Sequence, residues 1–256
     1  MTDDIAFAID GHIATITLNR PQKLNAVTPE MADAIVAHVE ECNASDVIRC
    51  VIVTGAGERS FCAGSDIREL DGYDTAWNFR NRPDYCDAIR RLLKPSIAAV
   101  NGYAFGGGLE TAMSCDIRIA STNAQFAAPE IKLGWIGGGG MATFLANSVG
   151  PSNAALMIMT GDPIDADTAL GWGLVSAVVA QADLLARARS IANTIASRAP
   201  IAAETAKLNL KAAFSMPQEK AIEYERDLQT ICFATADAAE GRLAFKEKRQ
   251  PVFRRR

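Results

Sequence analysis

Apolar and polar positions alternate from Ile5 onward. Ile5, Phe7 and Ile9 alternate, Asp10-Gly11 interrupts, and Ile13, Thr15 and Thr17 then alternate with Ala14, Ile16 and Leu18. Period-two patterning on both sides of an Asp-Gly pair predicts a β-hairpin over residues 5–18. The period changes at Thr28. Thr28 suits a helix cap and Pro29 a first helical position. Met31, Ile35 and Val39 then fall on one helical face, with Asn43 near the end. Cys50 to Thr54 is an unbroken apolar, β-branched run closed by Gly55, as expected of a buried parallel strand. Ser96 to Val100 is a second such run after the Lys94-Pro95 break. It leads into Gly102 to Gly108, a helix from about Gly108 to Ser114, and a third run from Asp116 to Ala120. Strand, turn, helix, strand is a βαβ-type order.

Beyond Gln125 the pattern shifts. Gly137 to Gly140 is a glycine loop before a helix, and from Pro151 onward the chain reads as mostly helical. Asp165 is a cap candidate, Gly171 and Gly173 are stops, and Leu174 to Val179 is one more short strand. Helix boundaries are expected near Gln181, Pro200, Pro217 and Asp237. The division is therefore an α/β core over 1–195 and a helical region over 196–256.

At 256 residues the chain can bury a full core. A net charge of -4 argues against a dedicated nucleic-acid binder, and Arg254-Arg255-Arg256 is the one run of three basic residues. No apolar stretch reaches the roughly 20 residues that span a bilayer, and the start of the chain lacks the basic and apolar segments of a secretory signal. The six cysteines show no metal spacing and read as reduced thiols of a cytoplasmic protein. His12 and His38 lie apart from other ligand types, so no metal site is expected.

Four segments place glycine beside a polar or apolar anchor after a strand: Phe61 to Asp66, Asn101 to Glu110, Ala128 to Gly134, and Gly137 to Gly140. Three consecutive glycines at a helix start leave backbone N–H groups approachable, where the helix end carries positive partial charge. That suits a developing oxyanion, although a glycine cluster alone also reads as close turn packing. Glu110, two residues into the expected helix, and Glu130, after Pro129, each read singly as a first-turn acid. Together, two carboxylates beside strand ends could face one cleft as acid and base.

These strings resemble the enoyl-CoA hydratase/isomerase (crotonase) family. The resemblance rests on Ala63-Gly64-Ser65-Asp66, Lys94 to Ala104, Gly106-Gly107-Gly108-Leu109-Glu110, Cys115 to Ala120, Pro129-Glu130-Ile131, and Leu170 to Val175. Asn19-Arg20-Pro21 and Leu24-Asn25-Ala26 extend it to nearly the whole chain. It implies an α/β crotonase spiral of ββα units with a helical C-terminal region that forms trimers, often paired into hexamers. It implies that the backbone N–H groups of Ser65 and Gly107 hold a thioester oxygen. Glu110 would help to activate water, Glu130 would deliver a proton, and Gly138 would lie beside the water. Coenzyme A, entering as part of an acyl-CoA substrate and not as a cofactor, would lie along Lys23, Leu24, Ala63, Asp66 and Ile67. Phe245 and Lys248 would touch its nucleotide end, often from a neighbouring subunit. Tyr73, Trp77, Phe79 and Tyr85 would shape the acyl pocket.

The expected reaction is syn addition of water to a trans-2-enoyl-CoA. A 3,2-enoyl-CoA isomerase, which needs one base, or another acyl-CoA lyase or isomerase of the family is the alternative. Over Leu133 to Thr143 the chain departs from many hydratases: Gly137 stands where they carry proline, and their following Thr-Gln-Arg is absent. A dinucleotide-binding reading of Gly55-Ala56-Gly57 lacks the third glycine of that fingerprint.

Overall fold

A computed structural model describes residues 2–256. The strands are β1 (Ile5–Asp10), β2 (Ile13–Leu18), β3 (Cys50–Gly55), β4 (Ser60–Cys62), β5 (Ser96–Val100), β6 (Tyr103–Phe105), β7 (Ile117–Ser121), β8 (Gln125–Ala127), β9 (Ile164–Asp165) and β10 (Ala177–Val179). The first helices are α1 (Pro29–Ala44), α2 (Ile67–Leu70), α3 (Ala76–Arg80), α4 (Tyr85–Arg90) and α5 (Gly107–Ser114). They are followed by α6 (Met141–Thr160), α7 (Ala166–Gly171), α8 (Leu184–Ala196), α9 (Pro200–Ala213), α10 (Gln218–Phe233) and α11 (Ala236–Glu247).

The hairpin forms as its alternation predicts, with Ile5 opposite Leu18 and Asp10 opposite Ile13. Thr28 caps α1 by accepting from the Met31 N–H (3.3 Å). Met31, Ile35 and Val39 are buried on its inner face.

Two sheets result. The larger runs β1-β2-β3-β5-β7-β10, and all its pairings except β1–β2 are parallel. The smaller runs β4-β6-β8-β9, parallel except at β8–β9. Each successive pass contributes one strand to each sheet: β3 then β4, β5 then β6, β7 then β8. That repeat is the expected spiral of ββα units. The sequence pattern does not reveal β4, β6 or β8. Each has three residues, too few to show a period, and the glycines flanking β6 read as loop.

The central strands are buried on both faces. Val51, Val53, Ala98 and Val100 join the core beneath α1, α4, α5 and α6. Cys50, Ile52, Ile97 and Ala99 face the other way, against Leu184, Ala188 and Ala192 of α8. Those α8 residues recur at i, i+4 and i+8, one helical stripe. α8 ends at Ala196, where the core-facing helices give way to α9, α10 and α11. Leu174 to Val179 shortens to β10, and α6 is two helices joined at Gly150 (φ 78), with Pro151 opening the second.

Ion pairs fasten the C-terminal helices to the core. Lys94 is fully buried, and its Nζ meets Glu204 Oε1 at 2.8 Å. Glu204 Oε2 also receives Arg255 (2.9 Å). The buried Lys207 ammonium pairs with Asp116 (2.8 Å) and donates to the Lys94 carbonyl (2.9 Å). Removing one partner from such a pair leaves poorly solvated charge. Lys94→Ala is expected to lower unfolding free energy by about 3 to 5 kcal/mol in urea. Lys220→Ala, which breaks an exposed pair with Glu223, is expected to change it by less than about 1 kcal/mol. Equal small effects would contradict the anchoring role.

Candidate active site

The site is built where β4 ends and α5 begins. Gly64 follows β4 with φ 94, in the left-handed region that favours glycine. A side chain there would come within 3.1 Å of the Gly107 nitrogen. A Cβ on Gly108 would collide with the Cys62 carbonyl, and one on Gly107 with the Tyr85 hydroxyl. The three residues therefore let α5 lie directly on the end of β4. Gly106 precedes α5 at φ 55, and no side chain caps the helix. The N–H groups of Ser65 and Gly107 have no protein acceptor among the described residues. Two adjacent free donors at a helix start can hold an oxyanion.

Both candidate carboxyls lie by the first turn of α5. Glu110 is its fourth residue and is 5% exposed. Its Oε1 accepts from the N–H groups of Gly139 (2.7 Å) and Met141 (3.1 Å). Burial pushes its carboxyl up to about 7; the Glu130 charge adds to the rise, and the Gly139 and Met141 donors oppose it. Glu130 stands in a short 3-10 turn, Pro129–Leu133. Its Oε1 lies 3.1 Å from where a Gly106 side chain would begin. Its Oε2 is buried without a partner, and burial raises this carboxyl too. A buried acceptor with no donor is costly unless something else supplies one.

The loop from Gly137 to Gly140 wraps Glu110. Side chains on Gly137 or Gly139 would each come within 2.8 Å of a Glu110 carboxyl oxygen. Gly137 thus has no room for a Cβ. Gly138 faces open space, with nothing within 4 Å of where its Cβ would be.

The candidate coenzyme segments run side by side. Ala63 N–H donates to the Leu24 carbonyl (3.0 Å), Val27 N–H to the Gly64 carbonyl (2.8 Å), and Asp66 N–H to the Val27 carbonyl (2.8 Å). Leu24 and Asn25 both take positive φ, and the Asn25 amide holds the Ser60 carbonyl (2.7 Å). Lys23 and Ile67 are exposed beside this ladder. The Asp66 carboxylate is buried and engaged by Arg20 (3.2 Å), so its side chain serves the fold. Asn101 has a similar task, donating to the Gly55 carbonyl (2.7 Å) and accepting from the Gly55 N–H (3.0 Å). Sequence reading did not assign Arg20 a role; only its pairing with a carboxylate 46 residues away identifies one.

Phe245 and Lys248 lie at the end of α11, which packs on α10. Phe245 is 87% exposed. Of the four aromatics expected around the acyl pocket, Trp77 and Phe79 lie exposed, Tyr73 is half-buried, and Tyr85 alone is buried. The run Gly55-Ala56-Gly57 leads into β4 and not into a helix, so it forms no dinucleotide fingerprint.

The chain matches the sequence model described as enoyl-CoA hydratase/isomerase over residues 8–256. It is 42% identical to a short-chain-enoyl-CoA hydratase of Clostridium acetobutylicum, covering 94% of each chain. It is 37% identical to an (E)-benzylidenesuccinyl-CoA hydratase of Thauera aromatica, covering 98% of each. Among solved structures, an enoyl-CoA hydratase from Bacillus anthracis superimposes with a TM-score of 0.95 at 33% identity, over 99% of this chain and 100% of that one.

The raised Glu110 carboxyl has a stability consequence. Between about 4.5 and 7 the folded chain retains a proton that the unfolded chain has released. Stability therefore declines as pH rises through that window. Glu110→Gln lacks the titration, so its stability relative to the native chain should improve by up to ~3 kcal/mol between those limits. Denaturant unfolding across pH 4 to 8 measures this; parallel curves for the two proteins would refute it.

Proposed function

The chain belongs to the enoyl-CoA hydratase/isomerase family, and from that membership we infer that it hydrates the 2,3 double bond of a trans-2-enoyl-CoA. The observation that carries this reading is a pair of carboxyls beside the first turn of α5: Glu110, buried within that turn, and Glu130, half-buried in the 3-10 turn Pro129–Leu133 with its Oε2 enclosed and unpartnered. An isomerase needs one base to move a proton. A hydratase must both activate water and protonate carbon, which gives the second carboxyl work.

The thioester oxygen would sit between the Ser65 and Gly107 N–H groups. As water adds at C3, negative charge moves through C2 onto that oxygen, where preformed donors and the helix end stabilise the enolate. Glu110 is oriented by the Gly139 and Met141 N–H groups on Oε1, which leaves Oε2 to accept a proton from the water. The open space at Gly138 suits that water. Glu130, through its unpartnered Oε2, would give a proton to C2. Addition of both groups from the face on which the carboxyls lie is syn. Neighbouring buried carboxyls resist double ionisation, so the working state holds one proton between them and the titration belongs to the pair.

Coenzyme A would run along the ladder of Lys23, Leu24, Ala63, Asp66 and Ile67, with Lys23 free to meet phosphate. The free thiols, five of them buried, suit a reducing compartment such as the cytoplasm. Residues 196–256 would form the contact of a trimer or hexamer. Phe214, Phe233 and Phe245 stand exposed there, an apolar surface that a second copy would cover. In that assembly Phe245 and Lys248 would reach a neighbour's nucleotide.

Loss of enoyl-thioester absorbance with crotonyl-CoA tests the assignment. Glu110→Gln and Glu130→Gln should each lower kcat/KM by on the order of a hundredfold or more. The pH profile of kcat/KM should be bell-shaped, falling on the alkaline side as the pair loses its last proton. No hydration, with conjugation formed from a 3-enoyl-CoA in a reaction that needs only Glu130, would assign an isomerase instead.

A further inference from the structure

Tyr85 is a buried phenol that the hydration chemistry does not use. It opens α4, where Asp84 caps the helix by accepting from the Cys86 N–H (2.8 Å) and the Asp87 N–H (3.0 Å). This fixes the ring's starting point. The ring is 6% exposed, and its hydroxyl shares one hydrogen bond with Ser65 Oγ at 3.1 Å. The same hydroxyl fills the volume that any side chain on Gly107 would need. It therefore touches both residues whose N–H groups form the oxyanion cradle, although those residues are 42 positions apart in the chain.

We propose that Tyr85 is a positioning residue that sets the separation of the Ser65 and Gly107 N–H donors, bonding to the first and packing against the second. The proposal rests on the assignment of those two groups as the oxyanion cradle. Three observations converge on it. First, the Ser65 side chain has Tyr85 as its one hydrogen-bond partner among the described residues, so without the phenol nothing else holds Ser65 Oγ. Second, Ser65 lies between β4 and the short helix α2, outside both sheets, and is linked by an isolated bridge to Val27. That bridge bonds Val27 to Gly64 and Asp66 on either side of Ser65, and the one contact made by the Ser65 side chain itself is the Tyr85 hydroxyl. Third, burial pushes the phenol well above its ordinary range, so it stays a neutral hydroxyl at every working pH and adds no charge beside the enolate. Rigid support of this kind keeps donors within the small tolerance that transition-state stabilisation demands.

Tyr85→Phe tests the idea because the ring still fills its place. The variant should fold with the native circular dichroism spectrum and lose about tenfold to a hundredfold in kcat on crotonyl-CoA, with KM within about twofold. Ser65→Ala should show a similar loss, and the double variant should lose no more than either single one, since both remove the same brace. The carbonyl stretch of bound butanoyl-CoA, which has no double bond to hydrate, reads the cradle separately. It should shift to lower frequency on the native protein and less so on Tyr85→Phe. An equal shift on both proteins, no shift on the native protein, or unchanged kcat in Tyr85→Phe would overturn the proposal. A native shift that weakens in Tyr85→Phe, from a protein that hydrates no enoyl-CoA, would uphold the brace and defeat the hydratase assignment.

Discussion

The approach of α5 to the end of β4 is the constraint on which the site depends. Gly64, Gly107 and Gly108 lie where a Cβ would meet backbone or a buried hydroxyl. Removing those carbons lets the helix start against the strand end, so its unpaired N–H groups stand beside that of Ser65. The two sheets of the spiral hold this contact in place. β5 and β6 carry the chain into the first turn of α5, while β3 and β4 bring Ser65 to meet it. Packing density elsewhere in the core keeps the two passes from drifting apart.

The same helix start sets the electrostatics. Burial alone would leave Glu110 protonated and inert as a base. The Gly139 and Met141 N–H groups pull the other way by binding one oxygen of its carboxylate. Opposed effects of this size bring the group to about 7, where it can exchange protons with water in either direction. The all-glycine loop is part of that balance, since a side chain at Gly137 or Gly139 would force the carboxyl away from its donors.

Distance from the site does not make the C-terminal helices incidental. Lys94 and Lys207 carry charge into the base of β5 and are matched there by Glu204 of α9 and by Asp116 just before β7. β5 leads directly to β6 and α5. The joint between core and helical region thus bears on the strand that leads into α5.

Much of this was legible in the chain itself. The hairpin, α1 with its Thr28 cap, the buried runs of β3 and β5, and the helix boundaries of the last third follow from periodicity and capping, which are local. The glycine strings and Glu110 and Glu130 identified the family and the candidate acid–base pair, because short motifs survive as strings. The three-residue strands of the second sheet stayed hidden, since pairing and not pattern defines them. The Asp66–Arg20 pair, the two donors that orient Glu110, and the Tyr85 contact with Ser65 were equally invisible. Each joins residues tens of positions apart, and a sequence records neighbours along the chain. Only the folded backbone decides which distant side chains share one small volume, and so which carboxyl is buried, which is neutralised, and which is left free to react.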